Sequence, residues 1–303
     1  MGERGSVRTR NGKPALKRVA VVVNPASGSA GPDAAQEAER ILEEQGVKGV
    51  VSVPGDDGLE ACLRAALDTK PALLVIVAGD GTARAGAEMA GPKGPLVAPL
   101  PGGTMNMLPG ALYGGRDWKS ALSDSLADGV IKPVSGGEID GRAFYVAAIL
   151  GSPALWAEAR EAARDGDLAR AIERARRAVR RAFSGRLRFV LGAGPPAKAE
   201  ALALMCPMVS KAMEDKDGYL EAAAIDPAGA LEIFRLGFRA ALGDWRADQA
   251  VDVTCIRSGR AWANRPIPAV LDGEPTQLRS VVDFKFKPVA FRALVPRDPE
   301  AAA

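Results

Sequence analysis

The sequence predicts an α/β domain built on a parallel sheet, followed by a mostly antiparallel β domain. Three observations carry that expectation. Over residues 17–132 short apolar runs alternate with helical patterns. From about residue 133 this alternation gives way to closely spaced strand-like runs. Glycine-rich turn signals punctuate both regions, and alternation of the first kind is the mark of a parallel sheet covered on its two faces. The chain has 303 residues, enough for about two domains at ~100–200 residues each.

VAVVVNP at 19–25 is a short β-branched run ending in a turn, which predicts a buried strand. Pro32 and Asp33 open a helix whose apolar face holds Ala34, Ala38, Ile41 and Leu42, and Gly46 stops it. VVSV at 50–53 is a second strand. Leu59, Cys62, Leu63, Ala66 and Leu67 recur at helical spacing and mark a second helix. ALLVIVAGDGT is a third strand running into a glycine-rich turn, and PLVAPLPGGT at 95–104 a fourth. Trp118, Ala121, Leu122 and Ser125 share a face of a further helix.

In the second domain, expected over 133–286, Asp140-Gly141 between apolar segments signals a hairpin. Strand-like runs follow at 187–191, 202–209, 251–256, 267–271 and 280–286. Two helical insertions interrupt them, one over 155–183 and one using Leu231, Phe234, Phe238 and Leu242.

Composition narrows the chemistry. Hydrophobic residues make up 47% and charged residues 25%, as in an ordinary globular protein. The longest uncharged apolar runs fall far short of the ~20 residues a membrane span needs. The basic N-terminal stretch lacks an apolar segment, so no secretory signal is expected, and the chain reads as cytoplasmic. Cys62, Cys206 and Cys255 have no paired spacing, which argues against a disulfide framework or a cysteine zinc site. There is no histidine, which removes Ser-His-Asp triads and histidine bases. Proton transfer would fall to Asp, Glu, Lys, Tyr or Cys. A net charge of +3 is too mild to imply nucleic acid as a partner.

Three small-residue turns leave the ends of separate strands in the first domain: Asn24-Pro25-Ala26-Ser27-Gly28, Gly79-Asp80-Gly81-Thr82 and Pro101-Gly102-Gly103-Thr104-Met105-Asn106. Glycines let backbone N–H groups close on an anion, and a following helix adds its dipole. Ser27, Thr82 and Thr104 add hydroxyl donors. Asp80 suits a phosphate site only if a cation such as Mg²⁺ bridges it to the phosphate. Neither a Walker A sequence nor a complete Gly-x-Gly-x-x-Gly turn is present.

These turns, in this order, resemble the diacylglycerol kinase catalytic domain family, which includes soluble bacterial diacylglycerol kinases and sphingosine kinases. Leu271-Asp272-Gly273-Glu274 extends the resemblance into the second domain, so that it covers roughly residues 17–290. The resemblance implies an α/β nucleotide-binding domain, of the kind shared with NAD kinases, and a β-sandwich domain for the lipid, with ATP and Mg²⁺ as co-substrate and cofactor. It also implies that residues about 287–296 return to complete the first domain. Asp80 with Gly79, Gly81 and Thr82 matches the nucleotide and metal motif. Asn24, Ser27, Gly28, Gly103, Thr104 and Asn106 match the other nucleotide contacts. Glu274, supported by Asp272, matches the general base on the lipid hydroxyl. A carboxylate can serve there without histidine, and repulsion between two close carboxylates would raise the pKa of one of them. Lys216-Asp217-Gly218-Tyr219 resembles a structural Mg²⁺ segment, with Asp217 as side-chain ligand and Glu214 and Tyr219 offering carbonyls.

The sequence departs from the family at Ala78, where glycine is usual, and at Arg84-Ala85, where Asn-Glu is common. Arg84 can itself clamp a phosphate. Over 168–183, Arg170, Arg174, Arg177 and Arg181 form a stripe opposite an apolar one. That stripe suits anionic phospholipids at a membrane surface, and so a reversibly membrane-associated enzyme whose lipid substrate lies there. The leading reading is an ATP-dependent kinase of a lipid hydroxyl, diacylglycerol first, with a homodimer allowed. The alternatives are an NAD kinase-like enzyme, which would want an Asn-Glu pair that this chain lacks, and a catalytically silent binding protein on the same scaffold.

Overall fold

The structure is a computed structural model that describes residues 9–10, 13–14, 16–151, 187–210, 218–225 and 251–297. It divides into two units, Met1–Val134 with Val289–Ala303 and Ser135–Pro288. A short ribbon of β1 (Thr9–Arg10) and β2 (Lys13–Pro14) comes first in the chain.

In the first unit the uninterrupted apolar runs become strands buried on both faces. β3 (Val19–Val23) and β5 (Leu73–Ala78) are buried throughout. β4 (Gly49–Ser52) pairs parallel with β3 on one side, and β5 pairs parallel with β3 on the other. β6 (Leu96–Pro101) adds to β5, also parallel. The last part of a long strand, β18 (Val281–Pro296), lies parallel to β6 with Ala293 opposite Val97.

Helix α1 (Ala34–Glu44) buries Ala34, Ala38, Ile41 and Leu42, the face its spacing predicts. α2 (Gly58–Asp68) buries only Leu63 and Ala66 of its expected stripe, while Leu59, Cys62 and Leu67 stay half-exposed. The reason is position: α2 packs on β3 and α3 (Asp80–Ala90) rather than covering the outermost strand β4. α4 (Met107–Tyr113) and α5 (Trp118–Asp128) follow β6. Asp117 caps α5 by accepting from the N–H groups of Lys119 and Ser120. The buried Tyr113 hydroxyl donates to the Leu294 carbonyl at 2.9 Å and ties α4 to β18. Burial pushes that phenol far up, so it remains a donor at any ordinary pH.

In the second unit β7 (Gly129–Ile139) and β8 (Arg142–Phe144) form the expected hairpin. Its turn residues Asp140 and Gly141 have φ of 51° and 77°, the signs a type I′ turn requires. One antiparallel layer contains β11 (Ala197–Ala199), β10 (Leu187–Leu191), β15 (Ser258–Trp262) and the first part of β18. The other has the order β14 (Val251–Ile256), β13 (Leu220–Ile225), β12 (Ala201–Met205), β9 (Ala147–Gly151), β16 (Ile267–Leu271), β17 (Glu274–Leu278). Their inner faces share one core that includes Phe144, Leu150, Phe189, Leu204, Leu271 and Phe284. This is a β-sandwich.

Two expectations change. The run 202–209 is not one strand: β12 ends at Met205, and Pro207–Val209 form a single 3₁₀ turn because Pro207 has no N–H for a ladder. The strand expected at 280–286 continues to Pro296 and serves both units. Both helical insertions fall outside the described residues. No helix among the described residues is long and apolar enough to cross a membrane.

Tyr113→Phe should lower stability by about 1–2 kcal/mol, because it leaves a buried carbonyl with one partner fewer. Chemical denaturation measures this, and an unchanged midpoint would show that the Tyr113–Leu294 bond is not a tie.

Candidate functional site

The chain reverses direction across the first sheet at β3, with β4 to one side and β5 to the other. In open α/β sheets that switch point opens a crevice at the carboxyl ends of the strands. The three turns singled out in the sequence leave the carboxyl ends of β3, β5 and β6, which are adjacent.

Backbone contacts lock the turns together. Asn24 N–H donates to the Val77 carbonyl at 2.9 Å, and the Asn24 side-chain oxygen accepts from Ala26 N–H at 3.2 Å. Ser29 N–H donates to the Gly102 carbonyl at 3.0 Å, and its hydroxyl to the Gly103 carbonyl at 2.8 Å. The Asn106 amide grips Gly103 at both ends, accepting from its N–H at 2.8 Å and donating to its carbonyl at 2.9 Å. Asn106 itself is left-handed, with φ of 48°. Asp80, the first residue of α3, accepts from Leu108 N–H at 3.2 Å and so caps α4 from the neighbouring turn.

The approach is too close for side chains. A Cβ on Gly103 would lie 2.7 Å from Gly79 Cα, and one on Gly28 would lie 2.7 Å from Thr104 Oγ1. Gly79 is the N-cap residue of α3 and supplies it with no side-chain cap. Gly81, Thr82 and Arg84 lie on α3 and are half-buried, as are Asn24 and Ser27, while Thr104 is exposed. Ala78 ends β5 fully buried, so its methyl group is housed in the sheet and not in the crevice.

The sequence reading missed Ser29. Ser29 stands two residues beyond the serine that the motif marks, and only the fold shows that it braces β3's turn on β6's.

In the second unit Asp272-Gly273 forms the two-residue turn between β16 and β17, with φ of 49° and 88°. Asp272 is 1% exposed. Its carboxylate accepts from Tyr145 N–H at 2.8 Å, Val146 N–H at 2.8 Å and Ala147 N–H at 3.0 Å. Asp272 therefore staples the corner between β8 and β9. Glu274, the first residue of β17, is half-buried. Burial, and then the Asp272 charge, pushes the Cys206 thiol well up, so that cysteine behaves as a small protonated core residue. Lys285 and Lys287 hold Glu138 below the usual carboxylate range, and Arg279 does the same for Asp140.

Of the expected structural metal segment, Tyr219 is described, with the Arg257 guanidinium 4.7 Å from its ring centre. Glu214 and Asp217 lie outside the described residues, as do Arg170, Arg174, Arg177 and Arg181. Among the described residues no cluster of three Asp, Glu, His or Cys side chains could hold a metal ion.

Asp272→Ala should destabilise the second unit by about 3 kcal/mol or more, since it strands several buried N–H donors at once. Urea unfolding followed by tryptophan fluorescence reads it. A loss below about 1 kcal/mol would mean that the staple is dispensable.

Comparison with known proteins agrees with this architecture. Residues 18–139 match the family model described as the diacylglycerol kinase catalytic domain. No curated protein matches the sequence. A solved diacylglycerol kinase from Bacillus anthracis strain Sterne aligns over 95% of this chain and 99% of its own, with a TM-score of 0.67 at 14% identity. Two further structures from that strain, provisionally assigned as diacylglycerol kinases, align over the same shares with TM-scores of 0.70 at 15% and 17% identity. At such identities the likeness is one of fold. Over residues 18–139 this chain is thus similar to the diacylglycerol kinase catalytic domain.

Proposed function

We propose that this protein is an ATP-dependent lipid kinase that transfers the γ-phosphate to a lipid hydroxyl, with diacylglycerol as acceptor and phosphatidic acid as product. The observation that carries the reading is the set of three interlocked turns at the switch point, within the residues that match the kinase family. A triphosphate needs converging N–H and hydroxyl donors, and Ser27, Gly28, Gly81, Thr82 and Thr104 offer them where glycines allow close approach. Arg84 adds the cation best shaped for phosphate.

Mg²⁺ fits as a guest of the nucleotide. It keeps several waters and takes one or two carboxylates beside phosphate oxygens. The first unit offers Asp80 for that role without a preformed cage, consistent with the lack of an acidic cluster among the described residues. When bound, the ion would neutralise charge on the phosphates. Phosphoryl transfer to an alcohol also needs a proton acceptor, and Glu274 is the proposed base. Asp272 holds the turn on which Glu274 stands.

Labelled phosphate should pass from ATP to a total lipid extract, with the product identified by mass spectrometry. Asp80→Asn preserves a side-chain oxygen that can cap Leu108, and Glu274→Gln preserves shape. Each should lower kcat by about 10²-fold or more while the protein stays folded. Full activity in both would remove these roles. Nucleotide binding without turnover on any lipid would favour a binding protein on the same scaffold, the reading that Ala78 and Arg84-Ala85 motivate.

The arginine stripe supplies the membrane contact in this proposal, and the enzyme acts reversibly at the surface where its substrate lies. Each basic residue adds up to ~1 kcal/mol of attraction to an anionic leaflet. Binding to phosphatidylglycerol vesicles should fall with added salt and should be lost when Arg170, Arg174, Arg177 and Arg181 are changed to serine. Equal cosedimentation of parent and variant would exclude the stripe.

A further inference from the structure

One face of the first sheet is left half-covered beside α2. Gly49 turns toward α1, since a Cβ there would lie 2.8 Å from Leu42 Cδ1. Successive strand residues alternate faces, so Val50 and Ser52 turn to the side of α2. That helix packs on β3 and leaves Val50 68% exposed. Between α2 and the two strands lies a groove of about 670 Å³, walled by Val19, Ala20, Val50, Ala61, Cys62 and Ala66. A volume of this order suits a small-molecule ligand. None of these residues belongs to the three turns of the crevice.

The two mouths of the groove differ in charge. α2 links β4 to β5, both parallel neighbours of β3, so it runs against the strands. Its last turn therefore lies by the start of β3 and β4, where Thr69 lines the groove together with Lys17, Arg18 and Lys48. Backbone bonds pin that mouth: Val19 N–H donates to the Lys48 carbonyl at 3.3 Å, and Ala72 N–H to the Arg18 carbonyl at 2.8 Å. All three cations are exposed, and among the described residues none has an acidic partner. Gly55, Asp57 and Gly58 line the other mouth, with Asp56 exposed beside them. We infer that the groove is a binding site for a long-chain fatty carboxylate, its head among Lys17, Arg18 and Lys48 and its tail laid along α2 toward Gly55. The 11 residues of α2 span about 16 Å, so the tail lies extended. Each methylene taken out of water adds attraction, and Val50 and Cys62 are covered in return. Asp56 and Asp57 repel a carboxylate at the far mouth and so set the direction. An extended peptide laid there would bring N–H and C=O groups against Val, Ala and Cys walls that cannot partner them, whereas a hydrocarbon tail has none to satisfy.

Isothermal titration calorimetry of the full chain with laurate, below its micelle concentration, tests this. Dodecanedioate and dodecyltrimethylammonium are the comparison ligands, and Lys17→Glu/Lys48→Glu and Ala65→Phe the variants. Ala65 is an exposed member of the groove wall, so its replacement should fill the space and leave the protein folded. Laurate should bind saturably with a Kd of about 0.1 mM or below. Dodecanedioate, whose second carboxylate is set beside Asp57, should bind about tenfold more weakly, and dodecyltrimethylammonium should not compete with laurate. The double charge reversal should weaken laurate binding about tenfold, and Ala65→Phe should abolish it. Laurate should also slow N-ethylmaleimide labelling of Cys62, read by peptide mass spectrometry, and leave that of Cys255 in the second unit unchanged. The absence of saturable binding below about 1 mM would overturn the proposal. So would a laurate affinity indifferent to both variants, or equal binding of all three ligands. Cys62 closed to labelling before laurate is added would give the groove to the protein itself or to a second copy, and would overturn it too.

Discussion

Everything at the crevice depends on how closely three stretches of backbone can approach one another. A Cβ on Gly103 would press on the Gly79 backbone and one on Gly28 would press on the Thr104 hydroxyl, so the turns of β6 and β5, and of β3 and β6, lie within van der Waals distance. That closeness needs the strands beneath to be in fixed register. β3, β5 and β6 supply it as parallel neighbours, buried on both faces, whose carboxyl ends finish at one level. The polar side chains then lock what the glycines permit: Ser29 holds β6's turn, Asn106 holds Gly103, and Asp80 holds α4. The outcome is three turns held rigidly against one another at the carboxyl ends of adjacent strands.

The parallel sheet was legible because strands buried on both faces read as unbroken apolar runs, and VAVVV and LLVIVA are short runs rich in β-branched residues. The faces of α1 and α5 were legible for the same reason, that their periodic residues are the buried ones. The strands that escaped notice are those whose sequences argue against their fate. β13, LEAAAI, is rich in helix formers; β15 begins with Ser-Gly; β17 carries Pro275. They are strands because of their neighbours, since β13 is paired on both sides and β17 is joined to β16 by a tight turn. Cross-strand pairing overrides local propensity, and it cannot be seen one segment at a time.

The site shows a comparable split. Its motifs were legible as motifs, but the job of each residue within them was not. Asp272, Asn106 and Asp80 stand where chemistry is expected, yet their visible partners are backbone N–H and C=O groups. Nothing in a residue's type says whether a carboxylate or amide will face a ligand or its own chain. That is decided by which backbone groups the fold leaves unsatisfied nearby, as at the corner of Tyr145, Val146 and Ala147.

A division of labour runs through these turns. In Asp272-Gly273-Glu274 the first carboxylate is buried in the backbone and the second is left partly open. Between Thr104 and Asn106, the asparagine grips the turn while the threonine is exposed. Ser29 braces its loop two residues beyond Ser27. Each turn thus pairs a residue that fixes the main chain with a neighbour able to meet a ligand. Truncating the fixing member removes a structural bond along with any chemical role, so loss of activity alone would not separate the two. Replacements that keep the hydrogen bond and change only the charge can separate them. Asp80, whose carboxylate caps α4 and is the one proposed for the metal, is where that separation matters most, because the proposal asks one side chain to do both.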